Sequence, residues 1–140
     1  MMSRSGAEAQ IGAVRQAVEV CDSLGLAGLP AFFAGSSFDG LAGRGHGGAV
    51  VYYDPSPDDL FGVYVFWQNS PAVAEIIRRD LAAGAPLSAD DLQRISVMAS
   101  FTSAMHDALE RVLSAQGWHV ARQDAGGSEV LRVDGERDGA

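Results

Sequence analysis

The densest concentration of chemistry-bearing residues is the stretch Gly40-Leu41-Ala42-Gly43-Arg44-Gly45-His46-Gly47-Gly48. Glycines let main-chain amides approach a ligand, Arg44 offers a guanidinium to an anion, and His46 can exchange a proton near neutral pH. It is not a nucleotide-binding turn. Such turns follow a strand and open a helix, whereas this stretch precedes an apolar, β-rich run and lacks the required spacing. It reads as a Gly-rich loop over 35–48, with Arg44 and His46 as its ligand-binding candidates. A second candidate is His106, four residues before Glu110 at a spacing that brings two helical side chains together. A carboxylate beside an imidazole favours its charged form, which suits a base or a pH sensor, although such pairs are ordinarily surface contacts. A site built from these groups would lie between the loop 40–48 and a long helix at 88–116, with Arg44 on an anion and His46 or His106 as proton carrier.

The other candidates carry less. Asp54, Asp58 and Asp59 offer oxygen ligands to a hard cation, but their spacing fits no EF-hand, and acids with Pro55 and Pro57 are ordinary turn residues. His119 beside Trp118 has the same two readings as His106, with less in the sequence to support a functional one. Three histidines without common spacing, and no CxxC or HExxH, give no expectation of metal. Cys21 sits on an apolar helical stripe where burial makes a thiol inert. Ser36 and Ser37 lack the GxSxG elbow. All ten basic residues are Arg, so there is no Lys for a Schiff base or a P-loop. No cofactor is expected.

These residues need elements to position them. From Ala7 to Leu24, Ile11, Val14, Val18 and Cys21 recur at three and four, predicting a helix docked through that stripe. Gly25, Gly28 and Pro30 end it, and Ala31 to Ala34 is a short strand candidate. Two apolar runs, 49–53 and 61–67, flank a Pro- and Asp-rich connection and predict an antiparallel hairpin covered on both faces. Ser70-Pro71 starts a helix that should run to Ala83 and stop at Gly84. Ser88-Ala89-Asp90-Asp91 caps a longer one ending near Gln116 and Gly117. Its residues Leu92, Ile95, Met98, Thr102, Met105, Leu109 and Val112 form one apolar stripe, and Val97, Phe101, Ala104 and Ala108 a second. Such a helix is either central to the fold or a subunit contact. Segments 118–123 and 130–133 are further strand candidates, and the ends 1–6 and 136–140 should be loose.

The predicted class is α+β: one domain, an antiparallel sheet around the central hairpin, packed by an N-terminal helix and two later ones. With 140 residues, 47% of them hydrophobic, the chain can bury one core without metal or disulfide support. A net charge of -8 and a pI near 4.6 argue against nucleic acid and anionic membranes, which both require clustered cations. One cysteine, no apolar leader and no long apolar run point to the cytoplasm. The expected function is a small acidic binding or adaptor protein of the chaperone, inhibitor or assembly-factor kind. Its partner would be a protein, one of basic charge being suited to the acidic surface, and Val97, Phe101, Ala104 and Ala108 would form the contact of a homodimer. The alternative is a small enzyme or ligand-binding domain using the Arg44, His46 and His106 site.

Overall fold

The runs Gly48–Asp54 and Gly62–Gln68 are dominated by β-branched and aromatic residues, which fit a pleated surface buried on both sides. They pair antiparallel over their full length, from Gly48 opposite Gln68 to Asp54 opposite Gly62. A computed structural model describes residues 4–36, 47–56, 60–69, 72–84, 86–125 and 128–134. In chain order the elements are α1 (Arg4–Leu26), β1 (Ala31–Phe33), β2 (Gly48–Asp54), β3 (Gly62–Gln68), α2 (Ala72–Ala82), α3 (Ala89–Ala115), β4 (His119–Ala125) and β5 (Ser128–Asp134). The fold is α+β, a single domain on one five-stranded sheet of order β1-β2-β3-β5-β4.

The sheet departs from the expected all-antiparallel arrangement at one edge. β1 runs parallel to β2, with Ala31, Phe32 and Phe33 opposite Ala49, Val50 and Val51. Parallel neighbours need a connection long enough to carry the chain back to its starting end, and the Gly-rich segment 34–47 supplies that length. Arg44 and His46 fall within it, outside the described residues, as do Asp58, Asp59 and the Ser70-Pro71 helix start.

Helix ends follow local chemistry. Ser88 and Asp91 form a reciprocal capping box on α3, each side chain accepting from the other's main-chain N–H. At the other end Gly117 takes φ +94°. There the amides of Gly117 and Trp118 reach back to the carbonyls of Ser114 and Leu113. Gly28 ends α1 in the same way, with the Leu29 amide on the Leu24 carbonyl.

α1 buries a different stripe from the expected one. Ala13, Ala17, Val20 and Leu24 face the sheet, while Ile11 is 60% exposed and Val18 also faces water. Both stripes step by three and four, so spacing does not choose between them. Small residues do, because Ala13 and Ala17 let the helix lie close on Val51, Val63 and Val133 of the same core cluster. Polar contacts hold the choice: the Gln16 side chain donates to the Val133 carbonyl, and the Trp118 indole donates to Ser23 Oγ.

The core lies between this sheet face and the helices α1 and α3, centred on Leu24, Val65, Leu109, Leu113 and Leu131. Tyr52, Tyr64 and Val130 are buried on the other face, the two rings stacked at 5.3 Å. Five strands about 4.8 Å apart span roughly 20 Å, the width of two helices of about 10 Å. α1 and α3 fill it. Of the expected covering helices, α2 makes no extended contact with any other element among the described residues. No helix among the described residues is long and apolar enough to cross a membrane.

Candidate functional site

The β3–β5 register, Val63 to Val133 through Val65 to Leu131, would bring Trp67 opposite Glu129 two steps further on. The strands part before they get there. The ring of His106 occupies the gap: the Trp67 main-chain N–H donates to Nε2 at 3.0 Å, and Nδ1 lies 3.1 Å from Glu129 Oε1. Because Nε2 accepts, the ring proton sits on Nδ1 and is donated to the carboxylate. The imidazole thus bridges the two residues whose ladder bond is missing. Beyond it, the Asn69 side chain donates to Thr102 Oγ1 at 2.7 Å, and Thr102 donates to the Met98 carbonyl. The end of β3 is held by α3 instead of by β5.

His106 was expected beside Glu110 on the helix surface. It is 3% exposed, and its partner is Glu129, across the fork. Glu110 instead accepts from Arg122 Nε at 2.9 Å. The ring turns toward the sheet because an unpaired buried amide at Trp67 costs more than a solvated ion pair on one helix contributes. Arg122, on β4, also meets Asp107 and Glu129. Asp107 and Glu110 hold its guanidinium further up in pKa than usual. Neither Arg122 nor Glu129 stands out in sequence, since their partners lie on other elements. A shallow depression of about 410 Å³ is lined by Arg122, Gln123, Asp124 and Glu129. None of these four side chains is a nucleophile, and the arginine is already engaged.

Both ring nitrogens of His106 are committed, so in this geometry it has no free lone pair for a substrate proton. Cys21 is half-buried, and burial, then Asp22, pushes its thiol up to about 11. Burial foremost, with Tyr64 and Asp54, pushes the Tyr52 phenol up to about 12. These groups stay neutral near pH 7 and supply no activated nucleophile. Among the described residues no three His, Cys, Asp or Glu side chains converge as a metal site.

What remains is a surface. The buried side chains of α3 are His106, Leu109 and Leu113 at its C-terminal end, plus the capping Asp91. Toward its N-terminus the helix leaves the sheet, and Val97 is 56% and Phe101 49% exposed. Ala104 is exposed and Ala108 half-buried. Phe101 meets the Trp67 ring edge to face, ring centroids 6.1 Å apart. Near that contact two polar atoms are out of water without a partner among the described residues, the Trp67 indole N–H and Asn69 Oδ1. Seven exposed large apolar residues, Ile76, Leu81, Leu87, Leu92, Ile95, Val97 and Phe101, lie on α2, α3 and their connection. No family pattern, characterised protein or solved structure matches the chain.

Proposed function

We propose that this is a small acidic binding or adaptor domain of the cytoplasm, whose working surface is α2 and the N-terminal half of α3. The observation that carries the reading is the concentration of exposed apolar side chains there. A helix apolar on more than one side is ordinarily buried, and monomeric proteins rarely expose patches beyond a few hundred Å². Residues 92–105 contain a single charge, Arg94, so strongly hydrated groups are scarce along four turns. α2 adds a second argument. An 11-residue helix is marginal in water by itself, and α2 makes no extended contact with another element among the described residues. A protein partner supplies both requirements, covering the apolar side chains and giving α2 something to pack against.

The test is affinity capture of the tagged chain from its own cells, with the untagged copy of the chain counted among the possible partners. A stoichiometric protein held by the wild type and by Ile11→Glu, a charge placed on exposed α1, should be lost from Phe101→Glu. Equal retention by all three would place binding elsewhere on the molecule.

A further inference from the structure

We infer that the partner of this surface is a second copy of the chain, its α3 crossing the first antiparallel about a two-fold axis between residues 102 and 103. The inference rests on the reading of α3 as a protein-binding surface. Val97, Phe101, Ala104 and Ala108 step by four, three and four along one line of the helix. At 100° per residue that line lies roughly opposite the buried line of His106, Leu109 and Leu113. Apart from the Trp67 ring that meets Phe101, the line faces away from the sheet.

In an antiparallel helix pair, the numbers of facing residues have a constant sum. At a sum of 205, Val97 faces Ala108 of the second copy and Phe101 faces its Ala104, each pairing occurring twice. Every contact then sets a large side chain against a small one, which lets the helices approach and interdigitate. Sliding by a turn loses this, stacking either Val97 on Phe101 or Ala104 on Ala108. One patch carries both halves of the fit. That self-complementarity is what a two-fold interface requires, and it selects a second copy over an unrelated chain.

Charge agrees. Across 72–105, Arg78, Arg79 and Arg94 offset all but one of Glu75, Asp80, Asp90 and Asp91. Of the net charge of -8, only -1 lies here, so two copies can meet without bringing their acidic surfaces together. Arg94 and Arg111 fall level across the axis, but Arg94 is held by Asp91 at 3.2 Å. Arg111 comes within a turn of Asp90 on the second copy.

The experiment is sedimentation equilibrium on the full chain at micromolar concentration, with Phe101→Glu and two cysteine variants. The wild type should be a dimer, and Phe101→Glu should weaken it by roughly a hundredfold or more by burying an unpaired charge. Ala104→Cys should form an intermolecular disulfide on mild oxidation. Ala99→Cys, exposed on another side of α3, should not, and neither should the wild type through Cys21. A dimer unaffected by Phe101→Glu, or cross-linked equally through 99 and 104, would overturn the antiparallel seam. A wild-type monomer that still captures a different protein through Phe101 would overturn the second copy and leave the binding surface standing. A monomer with no Phe101-dependent partner would overturn both.

Discussion

His106 shows how one side chain can take over a strand's role. An amide buried at the end of β3 must find an acceptor, and where β5 diverges the imidazole supplies one. Its other nitrogen returns the connection to β5 through Glu129, which Arg122 also approaches. Replacing His106 by Ala should therefore cost about 2–4 kcal/mol, combining an orphaned buried N–H with a cavity. The urea midpoint of the variant checks this. A loss near zero would mean that the Trp67 amide re-pairs with β5 and that the ring is not what holds the fork. The same geometry explains why a histidine on a long helix need not be a proton carrier: its lone pair is spent on the main chain.

At the level of elements, lengths decide what is covered. Seven-residue strands extend about 23 Å at roughly 3.3 Å per residue, whereas the 27 residues of α3 extend about 40 Å. No orientation of the helix on this sheet covers all of it, and the excess is the bare segment. β1 presents a different constraint. Gly48 opens β2 at φ +155°, and a Cβ there would lie 2.6 Å from the Phe32 ring and 3.0 Å from the Pro30 carbonyl oxygen. Gly48→Ala should destabilise the domain by about 1–3 kcal/mol through overpacking and loosen β1 first. Amide exchange accelerated at Phe32 and Phe33 beyond the global change would identify the site of damage. Uniform acceleration would show that β1 is not a separate unit.

For the whole molecule, folding and association become one equilibrium if the free half of α3 is buried against a second copy. Unfolding then releases two chains, and the midpoint temperature must rise with protein concentration. At roughly 0.7 kcal/mol of unfolding enthalpy per residue, summed over the two chains released, the shift should be about 2.5 °C per tenfold change in concentration. Calorimetry over two decades of concentration measures it. A midpoint independent of concentration would mean that the domain is stable as a single chain with its apolar helix in water. The net charge is consistent with the coupled picture, since the acids lie mostly off the proposed seam and keep the assembled particle soluble.

Much of this was legible in the residues themselves. The central hairpin, both later helices with Ser88 and Gly117 at the ends of the long one, and the excess of apolar surface around Phe101 follow from periodicity, turn chemistry and capping, which act over a few residues. Tertiary structure alone decided the rest, because those choices depend on what another segment presents. Two stripes on α1 have equal spacing, and only close approach to the sheet selects Ala13, Ala17, Val20 and Leu24. Glu110 and Glu129 are both carboxylates within reach of His106 in principle, and only the fork between β3 and β5 makes the distant one its partner. The direction of β1 likewise depends on where its chain returns. Local chemistry determined which elements form, and long-range packing determined which faces they bury and which they leave bare.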